Sequence, residues 1–260
     1  MPRFLLNLVC WLGAATPGFA ADPSALLRAA AATEARQNSQ AALDLFLQAD
    51  ELRPNDAWIL QKIARQYSDL VGDQPDVAAK KHYAQTALDY SERAAALNPK
   101  DPVNVLSLAV CHGKLALYSD TADKVRYSRL VKDEAEQALA LDPNYSWAHH
   151  VLGRWHYEVA TLGAASKFLV RLIYGGLPPA SFDEGVRHLR RAVELEPAEL
   201  DHQLELGFAC AAAGQPAQAR NAWVRGLAMP SRGKHDDSAK ARARQALDRL
   251  NQDQHDGRDH

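Results

Sequence analysis

GVRHLRRAVELEPAELDHQLELGFACAAAGQ, residues 185–215, decides the fold. A helix-forming stretch runs into Pro197, which cannot continue a helix and biases the residue before it away from helical angles. A small residue, Ala192, stands five positions before that proline. After it, Gln203, Leu206, Gly207 and Cys210 fall at helical offsets on one stripe, and Gly214 marks a turn. The stretch is therefore a helix, a tight corner and a second helix.

The same phrase punctuates the chain. It occurs as ELRPND (51–56), ALNPKD (96–101), ALDPNY (140–145) and ELEPAE (194–199), with a looser copy, GLAMPS, at 226–231. Ala49, Ala94 and Ala138 repeat the position of Ala192. After Pro54 the stripe is Leu60, Ile63, Ala64 and Tyr67; after Pro143 it is His149, Leu152, Gly153 and His156. A small residue at the centre (Ala64, Ala109, Gly153, Gly207) lets a paired helix approach closely. Composition agrees: 47% of residues are hydrophobic and 24% charged, enough to bury a core, and Ala, Leu, Glu, Gln and Arg are helix formers.

Helix–turn–helix units in series resemble the tetratricopeptide repeat, whose unit is 34 residues. The prolines at 54, 99, 143 and 197 are spaced instead by 45, 44 and 54 residues. Ten extra residues add about 15 Å of helix. The surplus predicts extended helices around 72–97 and 117–141 and an added helix near 164–174. The expected fold is all-α, a tetratricopeptide-like superhelix of about five hairpins over 21–233. A capping helix at 236–252 and a polar tail complete the 234–260 segment.

Residues 1–20 read as a secretory signal peptide. One arginine precedes FLLNLVCWLGAA, an apolar run too short to span a bilayer, and Gly18 and Ala20 precede the cut. The expectation is an exported protein, periplasmic with secretion as the alternative, without a transmembrane span in the mature chain. That chain carries 29 Lys and Arg against 32 Asp and Glu, which points away from nucleic acid. Cys111 and Cys210 lie in separate helical segments and read as small buried thiols.

AHHVLGRWHYEVA (148–160) concentrates titratable side chains on one helix. His149 and His156 share the stripe that faces the partner helix and read as hydrogen-bonded core residues. His150, Arg154 and Tyr157 lie on another stripe, which faces the concave groove. The histidines of one helix do not converge, so no metal site is expected. HExxH, GxSxG and phosphate-loop motifs are absent from the sequence, and neither catalytic residues nor a cofactor are expected. Equivalent positions give a candidate groove of Arg65, Leu106, Val110, Lys114, Trp147, His150, Arg154, Tyr157 and Phe208, with Gln61, Ser68 and Leu204 beside them. An apolar middle with cations suits a partly apolar, anionic ligand, since arginine holds a carboxylate or phosphate through two hydrogen bonds. The competing expectation is that these cations pair with nearby acids such as Asp69 and Glu158. SKFLVRLIYGGLPPASF (166–182) reads as an extra helix closing one side of the array, as a lid over the groove, or as a membrane-surface helix.

AHHVLGRWHYEVATL, LPPASFDEGVRHLRRAVELEP and LELGFACAAAGQ resemble the regulator of microtubule dynamics family, as does LSLAVCHGKLALYSDTADKVRYSRLVKDEAEQALALDP. The resemblance runs from about 100 to 230. It implies a helical, tetratricopeptide-like adaptor with no catalytic residues to transfer. Its name also implies microtubule association in a cytosolic or organelle-surface setting, from which the export signal departs. The functional expectation is a scaffold that binds a protein or peptide partner in its groove. The rival is binding of an anionic acyl lipid beneath the 164–174 helix.

Overall fold

A computed structural model describes residues 23–256. Those residues form twelve α-helices and no strand. The signal-peptide reading of 1–20 lies outside them. Five antiparallel hairpins follow one another: α1 (Pro23–Ala35) with α2 (Ser39–Leu52), α3 (Ala57–Leu70) with α4 (Val77–Leu97), and α5 (Pro102–Leu117) with α6 (Thr121–Leu141). Then α7 (Ser146–Thr161) pairs with α9 (Phe182–Leu195), and α10 (Leu200–Ala212) with α11 (Pro216–Ala228). Between α7 and α9 stands α8 (Ala164–Tyr174), and α12 (Asp236–Asp256) covers the last hairpin. The expected long helices are α4 and α6, of 21 residues each, and the added helix is α8.

The repeated phrase builds the same corner four times. Arg53, Asn98, Asp142 and Glu196 leave the helix with φ between −135° and −138°, and each donates its backbone N–H to the carbonyl of Ala49, Ala94, Ala138 or Ala192. The proline follows, and three residues later the next helix begins. Asp56 and Asp101 cap that start by accepting backbone N–H bonds, satisfying donors that a helix N-terminus otherwise leaves open.

Small residues set the spacing within hairpins. A Cβ on Gly153 would stand 2.7 Å from Leu189 Cγ and 3.0 Å from the Gly185 carbonyl, so α7 and α9 touch there through backbone. Gly207 is likewise pressed against the Trp223 indole. The core is strung along the array: one cluster centres on Phe46, Ile59 and Ile63, another on Cys111, Leu115 and Tyr127, a third on Leu106, Ala109 and Leu152, and a fourth on Leu189, Leu204 and Trp223. Burying each large apolar side chain contributes about 1.5–3 kcal/mol. Cys111 and Cys210 are free, buried thiols, and burial pushes Cys111 up to about 12.

Helix α8 does not cover the groove, contrary to the lid expectation. It leans on α6, a trailing helix, whose Arg129 donates to the carbonyls of Tyr174 and Gly176. Phe168, Leu169, Leu172 and Ile173 are 53–70% exposed. No helix among the described residues is long and apolar enough to cross a membrane.

Candidate functional site

The leading helices α3, α5, α7 and α10 contact one another and line the inner side of the curve. Arg65 on α3 is exposed, its Nε 3.6 Å from Glu34 and 3.9 Å from Asp69. On α5, Val110 is exposed and Lys114 half-buried. Lys114 makes no hydrogen bond or ion pair with any described residue. Burial lowers its pKa, Arg154 and Lys234 act in the same direction, and Asp69 opposes them.

On α7, the exposed Arg154 donates from Nε to Glu158 at 2.7 Å and lies 3.9 Å from Glu205. The acid-pairing expectation therefore holds for Arg65 and Arg154. Glu205 on α10 is 3% exposed. Its carboxylate accepts from the half-buried Tyr157 hydroxyl and from Arg242 on α12 at 2.6 Å. Burial disfavours its charge, but Arg154, His150, Arg242 and the Tyr157 hydroxyl prevail and hold it below the ordinary glutamate range. Glu205 has only one sequence signal, an acid inside the apolar run LELGFAC.

Several expected groove residues are core residues. Leu106 and Leu204 are buried at 3% and 0% exposure, Leu106 in the cluster that α5 shares with α6 and α7, and Leu204 in the cluster of α9, α10 and α11, pressed against Gly226. Ser68 is buried too, and Gln61 half-buried. Phe208 points toward the capping end, edge-on to Trp223 at 5.3 Å and under the Arg242 guanidinium at 4.3 Å. His150 is buried against α10, its Nδ1 3.0 Å from Nδ1 of His202, and Trp147 lies over both rings. The structure thus leaves Arg65, Val110, Lys114 and Arg154 as the accessible part of the expected lining, with Trp147 and Tyr157 half-buried.

The seam between α7 and α9 holds the other histidines. His149 bonds to His188 through their Nδ1 atoms at 2.9 Å, and His156 stacks on His188. Burial lowers the pKa of each, with His188 reaching about 4. The histidines of α7 do not by themselves converge, but α9 brings two further side chains to one of them. Ligand atoms of His156, Glu184 and His188 all lie within 4.8 Å of one another. The signal was EGVRH, an acid and a histidine one helical turn apart, whose counterpart lies on a different helix.

A family profile, regulator of microtubule dynamics protein 1-3, matches residues 26–251. The chain is 27% identical over 138 residues to regulator of microtubule dynamics protein 3 of Xenopus laevis, covering 53% of this chain and 30% of that protein. It is 28% identical over 136 residues to protein 2 of Homo sapiens, covering 52% and 33%. The chain thus spans about a third of the length of these two relatives. Among solved structures, a thermophilic TPR protein of Thermus thermophilus superposes with a TM-score of 0.63 at 19% identity, covering 87% of this chain and 99% of that one. This likeness shows the tetratricopeptide-type fold.

Proposed function

The chain belongs to the regulator of microtubule dynamics family, and from that premise we propose a non-catalytic interaction scaffold that seats a protein or peptide partner in its concave hollow. The observation that supports this reading is Lys114. An ammonium group half-buried on the inner face, with Arg154 and Lys234 acting against its charge, has no ion pair among the described residues and only Asp69, beyond ion-pair distance, to offset it. A partner segment with a carboxylate or phosphate supplies a counter-charge, and charge-assisted hydrogen bonds are the stronger kind. The microtubule role in the relatives' names belongs to proteins of which this chain spans a minor part, and we carry over only the scaffold.

A photo-crosslinking residue placed at Val110, on the inner face, tests the reading against one at Asp133 on the trailing helix α6. The expected result is a discrete protein adduct from position 110 that Lys114→Glu abolishes without lowering the melting temperature. Adducts from 133 and none from 110 would overturn the reading. Native mass spectrometry separates the rival ligand: a co-purifying acyl lipid released by Lys114→Glu would replace the peptide with an anionic lipid. We place the scaffold in an exported compartment, the periplasm, on the reading of residues 1–20. A mature chain beginning at Ala21 supports that placement, and one beginning at Met1 overturns it.

A further inference from the structure

We propose that His156, Glu184 and His188 form a binding site for one divalent transition-metal ion, best matched by Zn²⁺, across the seam of α7 and α9. Their ligand atoms lie within 4.8 Å of one another. Zinc–nitrogen and zinc–oxygen bonds near 2.0–2.1 Å require tetrahedral donors about 3.4 Å apart. The cluster therefore has to contract by about 1.4 Å at most, within reach of small side-chain rotations. Two imidazoles and one carboxylate suit Zn²⁺ and neighbouring first-row ions, with a fourth position left for water. Glu184 and His188, four apart on α9, share a helix face, and His156 comes from the helix that Gly153 and Gly185 hold close.

The hydrogen bonds prepare His188 for this role. His149 Nε2 lies 3.0 Å from the Pro143 carbonyl, which only accepts, so that nitrogen carries the proton. His149 Nδ1 is then an acceptor, and His188 Nδ1 must donate to it across 2.9 Å. His188 Nε2 is left as a bare lone pair, 3.8 Å from the Glu184 carboxylate. A metal-bound histidine ordinarily has its other nitrogen engaged in this way. His156 Nδ1 accepts the Ser181 N–H across 3.4 Å, a long bond that an ion at this nitrogen would displace. A second competitor stands at the other histidine: Arg187 donates to His188 Nε2 at 3.3 Å and pairs with Glu184. Its side chain is 65% exposed, so it can swing into solvent and exchange its charge for that of the ion.

Titration calorimetry of the full chain with ZnCl₂, and Co²⁺ absorption as a coordination readout, test the site. The expected result is one equivalent bound, lost in His188→Asn and in Glu184→Gln. Arg187→Ala, a surface change that leaves the fold intact, should tighten binding several-fold by removing the competing cation. His149→Leu should weaken it about tenfold by releasing the tautomer of His188. His255→Ala with His260→Ala should leave binding unchanged. The proposal falls if neither the wild type nor Arg187→Ala binds one equivalent, if Arg187→Ala binds more weakly, or if the tail variant loses the site.

Discussion

Two of the buried histidines, on facing helices, should contribute a large share of this protein's acid sensitivity. His150 and His202 face each other at 3.0 Å between α7 and α10, under Trp147. Burial holds His150 down to about 3; Arg154, Arg242 and His202 act with it and Glu205 against it. Burial likewise holds His202 down to about 4, against Glu196. In the unfolded chain both titrate near 6.5. Below that pH the unfolded chain takes up protons that the folded pair refuses. Their contribution is therefore intact above pH 6.5 and is lost as pH falls toward 4, by about 2 kcal/mol per histidine at pH 5. Urea unfolding at pH 7.5 and 5.0 should show this loss, and His202→Phe should flatten it. An unchanged slope in that variant would assign the acid sensitivity elsewhere. The sequence placed His149 and His156 against the partner helix, because helical offsets within one hairpin are local. It left His150 in the groove because the approach of α10 depends on how the hairpins curve, which no offset along α7 encodes.

At the scale of helices, the corners were the most legible feature, and the exposed face of α8 was the least. Four copies of one phrase make four corners with nearly the same φ, since each depends on a proline and an alanine carbonyl that are neighbours in sequence, and three of them add a capping side chain, Asp56, Asp101 or Glu199. Helix α8 was legible in position but not in packing: an apolar run ordinarily implies burial, yet Leu172 and Ile173 are 70% and 56% exposed. The two kinds of position should respond oppositely to substitution. Leu172→Ser should leave stability within about 0.5 kcal/mol, because a surface site offers no packing to lose. Gly207→Ala should cost about 1–3 kcal/mol, because its methyl would collide with the Trp223 ring and force α10 and α11 apart. Chemical unfolding of both variants measures the contrast. A costly Leu172→Ser would mean that α8 is packed in solution, and a neutral Gly207→Ala that the hairpin has slack.

At the scale of the molecule, the array closes on itself. The segment before α12 reaches the first hairpins: Gln37 donates to the Arg232 carbonyl, Lys234 pairs with Asp73 at 2.6 Å, and His235 lies 3.8 Å from Asp69. Repeat arrays ordinarily touch only neighbour to neighbour, so contacts spanning 161 and 195 residues bring the ends together beside the hollow. Unit lengths read from proline spacing could not reveal this, because curvature accumulates from small rotations between hairpins. The clasp is weak: Lys234 and Asp73 side chains are 22% and 54% exposed, and exposed ion pairs contribute about 0–1 kcal/mol and are screened by salt. The core clusters are strung along the hairpins and do not depend on it. Opening should therefore change shape far more than stability. Asp69→Asn combined with Asp73→Asn should raise the radius of gyration in small-angle scattering, shift the melting temperature by no more than a degree or two, and speed association at Lys114. Salt near 1 M should produce the same expansion in the wild type. A radius unchanged under both conditions would mean that packing, rather than these charges, holds the ends together, and that the hollow is entered by another route.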